Sequence, residues 1–186
     1  TVICSTQFIC PVDLTTSPTP IASWSWNYGD NFIYTGQNPP CHKYSVPLQS
    51  PYTMSLIVTD QNSCADTAKL TVIVHATPRA DFSWSISCED GYMPLSSTSL
   101  QGDIAIDTCE WLFWIGAPSP VTDYNCNTTF HFPPGLHDVQ LIVRDLNDCA
   151  DTIVKTVVTD SLSKLVIYPG DTIICLGTSV DYHVSG

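Results

Sequence analysis

Cysteine is the reactive residue this chain carries in quantity, and its nine copies among 186 residues are not scattered. Cys4, Cys10, Cys41 and Cys64 lie in the first half and Cys88, Cys109, Cys126 and Cys149 in the second, with Cys175 standing apart. Thiols at this density ligate metals, cycle a redox pair or close bridges. No C-x-x-C pair or other zinc-ligand spacing is present, and a reducing cytosol has little use for so many thiols outside metal sites. Structural bridges in an oxidising, extracellular setting are therefore the expected chemistry.

Carboxylates form the second reactive group. They cluster at turns, Asp60 with Asp66, Asp145 with Asp148 and Asp151, and Asp103 with Asp107. Oxygen ligands of this kind could hold calcium at about millimolar affinity, with Asp60, Asp66, Asp145 and Asp151 as the candidates, although no EF-hand spacing exists. Alternatively, the Asp of each Cys-Ala-Asp-Thr organises a hairpin by accepting backbone amides. No other metal or cofactor is expected. The histidines do not recur in register, and no G-x-S-x-G, H-E-x-x-H or phosphate-cradling glycine loop occurs, so the chain is not expected to be an enzyme.

Six basic against eighteen acidic residues give a formal charge of -12, which repels nucleic acid. Apolar runs such as 70–74 and 165–168 are far too short to span a membrane. No signal peptide or anchor is recognisable, and the chain opens inside a strand-like pattern. It reads as an excerpt of a longer secreted protein.

The elements that must position these residues are duplicated. Met54-Ser-Leu-Ile-Val-Thr-Asp-Gln-Asn-Ser-Cys-Ala-Asp-Thr67 and Val139-Gln-Leu-Ile-Val-Arg-Asp-Leu-Asn-Asp-Cys-Ala-Asp-Thr152 lie 85 residues apart and agree at nine of fourteen positions. Cys41 and Cys126 each precede the cysteine of that motif by 23 residues. Self-similarity at a fixed period indicates a duplicated unit. Short Val-, Ile-, Thr- and aromatic-rich segments, alternating with polar residues and bounded by Pro, Gly, Asn or Asp, predict strands at 8–15, 22–27, 42–46, 52–59 and 69–75. A second set is predicted at 81–87, 92–98, 109–115, 128–132, 138–144 and 152–158. Met54, Leu56 and Val58 share one face, as do Val139, Leu141 and Val143, so each strand buries one side. Without crossover helices this is an all-β chain of tandem antiparallel sandwiches, with units at 1–76 and 77–160 and a truncated third at 161–186. Pro78 should stiffen the short linker between the first two.

Trp24-Ser-Trp-Asn-Tyr-Gly-Asp30, Asn38-Pro-Pro-Cys-His-Lys-Tyr44, Tyr52-Thr-Met-Ser-Leu-Ile-Val-Thr-Asp60 and Asn62-Ser-Cys-Ala-Asp-Thr67 together resemble the PKD domain. Its cysteine-bearing form is similar to the tandem PKD-like repeats of giant Bacteroidota surface adhesins, including those of gliding bacteria. The resemblance implies immunoglobulin-like sandwiches, disulfide-reinforced, on a bacterial cell surface. The second unit lacks the Gly-Asp-Gly turn of that family, reading Cys109-Glu-Trp-Leu-Phe-Trp-Ile-Gly116, and Asn31 replaces a glycine in the first.

In such a sandwich Cys4 and Cys64 are expected at one end, as are Cys88 and Cys149. The expected bridges are Cys4–Cys64 and Cys88–Cys149, each closing a loop worth about 4 kcal/mol in the chain-entropy model. Cys10–Cys41 and Cys109–Cys126 remain, although four cysteines allow three connectivities. Trp24, Trp26, Trp111 and Trp114 are expected in the cores, whereas Tyr28, Phe32, Tyr34 and Tyr124 lie in loops where rings could stack on sugars. The resemblance also implies O-glycosylation at Asp-Ser/Thr-apolar sites, making Thr67, Thr152, Ser161 and Thr172 candidate carriers. The expected function is that of a stalk, filament or adhesin segment. The expected partners are neighbouring repeats and a surface polysaccharide or other extracellular ligand. The alternatives are a carbohydrate-binding accessory of a secreted hydrolase and a strand-exchanging fibre subunit.

Overall fold

The computed structural model describes residues 1–45, 47–85, 92–116 and 118–159, together with the backbone of two further strands, 166–168 and 183–185. Among these residues every regular element is a strand apart from one 3-10 turn at Pro47–Gln49. In the first half, β1 (Val2–Cys4), β2 (Ile21–Asn27), β3 (Ile33–Thr35), β4 (Tyr52–Asp60) and β5 (Ala65–His75) form one sheet in the order β1-β5-β4-β2-β3. All pairings are antiparallel except one. β1 runs parallel to β5, with Val2 opposite Ile73 and Cys4 opposite His75.

In the second half, β6 (Phe82–Trp84), β7 (Tyr92–Ser97) and β10 (Asn127–His131) form one sheet in the order β10-β7-β6. β8 (Ile106–Trp114), β9 (Val121–Asp123), β11 (Gly135–Asp145) and β12 (Ala150–Thr159) form the other, in the order β12-β11-β8-β9. The chain changes sheet between β7 and β8, β9 and β10, and β10 and β11, as in an immunoglobulin-like sandwich. β13 (Val166–Tyr168) and β14 (His183–Ser185) pair with each other.

The period-two pattern holds over the second hairpin and over part of the first, where Leu56 and Val58, expected on the buried face, are only half-buried. Tyr52, Met54, Val72 and Val74 are buried on the first sheet, and Val139, Leu141, Val143 and Val157 on the second. Registers repeat at the 85-residue offset: Trp26 faces Leu56 and Ile57 faces Thr67, while Trp111 faces Leu141 and Ile142 faces Thr152. Of the tryptophans expected inside, Trp26 and Trp111 are buried. Trp24 is partly buried with its indole N–H on Asp13, and Trp114 is largely exposed because it has the parity of Leu112, not of Trp111 and Phe113.

The halves differ in their second layer. In the second, Phe82, Met93 and Leu95 of one sheet share a core with Trp111, Phe113 and Leu141 of the other. In the first, the strands expected at 8–15 and 42–46 reduce, among the described residues, to a single bridge between Ile9 and His42, flanked by Cys10 and Cys41; Val46 lies outside those residues. Aromatic rings fill the space: Tyr28, Phe32, His42, Tyr44 and Tyr52 follow one another at centroid distances of 4.3 to 5.3 Å. The two cores share no residue.

The two long hairpins turn in the same way. Asp60 Oδ1 accepts the amides of Asn62 and Cys64 at 2.8 and 2.9 Å, and Asp145 Oδ1 those of Asn147 and Cys149 at 2.8 and 3.0 Å. Ser63 and Asp148 take positive φ, 65° and 64°, which lets the three-residue loop close with the strand twist. The aspartate that organises the hairpin is thus the one before the turn, and not the Asp of Cys-Ala-Asp-Thr. Its side chain starts the turn and can reach the amides two and four residues on; Asp66 and Asp151 already lie in the next strand.

Replacing Asp60 or Asp145 by Ala strands two amides and should lower stability by about 1–3 kcal/mol in urea titrations. Acid should also weaken the second sandwich. Asp123 is held below its ordinary pKa, chiefly by the Thr128 hydroxyl at 2.6 Å and then by the Asn125 amide, and Asp81 is lowered chiefly by Lys155 Nζ. A depressed folded-state pKa contributes stability above the unfolded value of about 4 that disappears as pH falls through the folded value. Asp123→Asn should therefore flatten the acid limb of the stability–pH curve while leaving the slope near neutrality unchanged.

Candidate functional site

The cysteines meet in an arrangement that differs from the expected one. Cys10 bonds Cys41 and Cys109 bonds Cys126, with Cα–Cα distances of 4.1 and 5.1 Å. Cys4 bonds neither Cys64 nor any other cysteine of its own half. It bonds Cys149, 145 residues away, at a Cα–Cα distance of 5.6 Å. The expected Cys4–Cys64 bridge is excluded by where β1 pairs along β5. Because β1 pairs with the last three residues of β5, Cys4 lies opposite His75 at the far end of that strand, whereas Cys64 precedes its first residue, Ala65. Eleven residue steps at ~3.3 Å separate the two by roughly 36 Å, against the ~7 Å limit of a disulfide. Cys64 is a free, exposed thiol. Cys149 being engaged with Cys4, the expected Cys88–Cys149 bridge is also replaced; Cys88 and Cys175 lie outside the described residues.

Equivalent cysteines also take different partners. Cys41 and Cys126 correspond at the 85-residue offset, but Cys41 bonds within its own layer, next to the Ile9–His42 bridge. Cys126 adjoins β10 and bonds Cys109 of β8, which joins the two sheets from an exposed residue to a buried one. Cys109 stands where the first half has Trp24, since Cys109 faces Val143 and Trp24 faces Val58.

Around Cys4 and Cys149 the two halves are fastened by a dense set of contacts. Ala80 N–H donates to Asp151 Oδ2 at 2.8 Å, so the Asp of the second Cys-Ala-Asp-Thr holds the entry to the second half. From the loop before β8, Asp103 accepts the Ala76 amide at 2.9 Å on one oxygen and meets His75 Nδ1 at 2.9 Å on the other. Beside it, Gly102 packs so closely that a Cβ there would lie 1.9 Å from the Ala76 carbonyl oxygen. Thr77 N–H donates to Ser5 Oγ, and Arg79 and Leu100 exchange two backbone hydrogen bonds of 2.8 and 2.9 Å. The segment around Pro78 is therefore a bonded joint as well as a stiff linker. Gly102 and Asp103 were not legible as joint residues, since neither belongs to the repeated motif; the repeated Asp66/Asp151 was the available signal.

The remaining candidates are placed as follows. Asp60 and Asp145 hold turn amides, Asp66 accepts the Thr67 amide, and Asp151 the Ala80 amide. Among the described residues no three acidic, His or Cys side chains converge as a metal cage. Asp145 is buried, and its second carboxylate oxygen has no hydrogen-bond partner. Tyr28 cannot offer a face to a sugar: it is fully buried, and its hydroxyl donates to the Pro40 carbonyl at 2.7 Å. Phe32 is partly exposed but stacks on His42, Tyr34 is half-buried on β3, and Tyr124 is open to solvent. Thr67 and Thr152 lie exposed on equivalent strands, while Ser161 and Thr172 fall outside the described residues.

No protein-family model matches the chain, and no curated protein matches it. Similar solved structures include the PKD1 domain of Vibrio anguillarum Epp, 17% identical, covering 47% of this chain and 99% of that one at a TM-score of 0.42. The PKD1 domain from the Vibrio cholerae metalloprotease PrtV is 26% identical over 46% of this chain and 99% of its own, at a TM-score of 0.40. Fibronectin(III)-like modules of Clostridium thermocellum CbhA are 14% identical, covering 86% of this chain and 89% of that one at a TM-score of 0.44. The all-β sandwich assignment rests on strand order and core packing, not on these likenesses.

If Cys4–Cys149 and the Gly102 contact hold the joint, trypsin should cut after Arg79 slowly in the oxidised protein. Cys149→Ser or Gly102→Ala should speed that cut about tenfold, the factor for about 1.4 kcal/mol of local opening. Unchanged cleavage would show that the joint is held by other means.

Proposed function

We propose that this chain is a non-enzymatic structural segment of a long extracellular protein, a spacer whose units are covalently locked end to end. The observation that carries the reading is the Cys4–Cys149 bond across the joint. Three disulfides among the described residues suit a secreted or extracellular chain, and no helix among them is long and apolar enough to cross a membrane. The sequence resemblance to adhesin repeats supports placing such a spacer in a bacterial surface adhesin, presenting a binding region at a distance.

The bond has a mechanical consequence. A load applied at the two ends enters through β1, crosses from Cys4 to Cys149, and leaves through β12, so residues 5–148 lie outside the force path. All buried core residues except Val157 of β12 lie inside the closed loop and cannot be drawn out while the bond is intact. The closed loop also restricts the unfolded chain, by about 5 kcal/mol in the chain-entropy model. A spacer built this way keeps its length under tension.

Single-molecule pulling on the oxidised protein, held by its ends, tests this. Reduction should release about 500 Å of additional contour length, the 145-residue separation at ~3.4 Å per residue. Equal lengths before and after reduction would overturn the reading.

A further inference from the structure

The same hairpin turn occurs twice in this chain, but only one copy is engaged. In the second half Cys149 is bonded to Cys4 and buried, and two residues on Asp151 holds the Ala80 amide. In the first half the turn has the same backbone hydrogen bonds, Asp60 N–H to Cys64 O and Ser63 N–H to Asp60 O, matching Asp145 to Cys149 and Asp148 to Asp145. Yet the Cys64 thiol is free and exposed, and the Asp66 carboxylate is hydrogen-bonded, among the described residues, only to the adjacent Thr67 amide. Beside Cys64 opens a cavity of about 180 Å³, lined by Thr15, Ser17, Ile21, Val58 and Asp60.

We propose that Cys64 is the receiving half of a second end-to-end cross-link. Its donor is a cysteine of the Cys4 type, borne by another unit of the same kind, with Asp66 placed to take an entering amide as Asp151 does. The sequence holds further donors of this type. Cys4 stands five residues before Ile9, which bridges His42, and Cys88 stands five before Met93, which pairs Phe130 in the corresponding layer. Cys175 stands five before Val180. Cys88 and Cys175 lie outside the described residues, so they enter by sequence spacing alone. A rule joining the first-strand cysteine of each unit to the turn cysteine of the next accounts for Cys4–Cys149 and leaves Cys64 open toward a preceding unit, in the same chain or in another copy.

The chemistry is thiol–disulfide exchange, with a disulfide oxidant such as oxidised glutathione. The Cys64 thiolate attacks one glutathione sulfur, forming a mixed disulfide and releasing one glutathione thiolate. The donor cysteine's thiolate then attacks the Cys64 sulfur and releases the second. Two protein thiols are oxidised, and one glutathione disulfide is reduced to two glutathiones.

The test is to concentrate the full chain in a reduced and oxidised glutathione buffer and map the linked peptides by mass, mixing 14N and 15N copies to identify links between chains. Disulfide-linked oligomers are expected, with Cys64 joined to Cys88 or Cys175 of a second copy, and Cys64→Ser should abolish them. In Cys149→Ser the freed Cys4 becomes a further donor, and a Cys4–Cys64 link between copies is expected. Cys64 recovered only as a glutathione adduct in both proteins, a symmetric Cys64–Cys64 dimer, or oligomers that persist in Cys64→Ser would each overturn the proposal. The inference rests on the equivalence of the two turns; loss of Cys4–Cys149 from the wild-type map would instead count against the spacer reading.

Discussion

The place at which one three-residue strand pairs along its neighbour governs most of this molecule's organisation. Had β1 paired with the first residues of β5, Cys4 would end beside the hairpin that carries Cys64, and a bridge inside the first unit would be feasible. Paired with the last residues of β5, β1 delivers Cys4 to the exit of that strand opposite His75, where the second half begins. The thiol that could have closed one unit instead joins two. Ser5, Ala76 and Thr77 gather around the same point because the chain enters and leaves the first sheet there.

That geometry explains why the two copies of one motif have different fates. Their hairpins share register and turn hydrogen bonds, so local sequence produced the same object twice. What differs is the neighbour. The second turn has the end of another unit packed on it, which buries Cys149 and Asp145; the first has none among the described residues. The second layers diverge too. Five paired positions join β7 to β10 in one half, where the other has one bridge, a disulfide and a row of stacked rings. A covalent bond and aromatic surface there replace a strand ladder. Either solution covers the sheet, which a small core requires.

Much of this was legible beforehand. The alternation over 52–60 and 139–145 placed strands and their buried faces, because a side-chain period of two is a local property. The edge strands Ile33–Thr35 and Val121–Asp123 were missed, each having only three residues of pattern. The segment 8–15 looked like a strand from its composition, yet little of it finds a partner in the ladder. Tyr28 looked like a loop aromatic available to sugars; the fold closes over it and uses its hydroxyl to tie Pro40.

Taken by itself, the sequence determined the all-β class, the two equivalent hairpins, their turn aspartates' neighbourhood and an oxidising setting. Each of these follows from spacing along the chain or from composition. Only the tertiary structure decided which sulfurs meet, which rings are covered and where the halves are fastened. Those outcomes depend on where strands pair along one another and on the approach of residues such as Ala76 and Gly102 from separate elements, distances that no local period encodes.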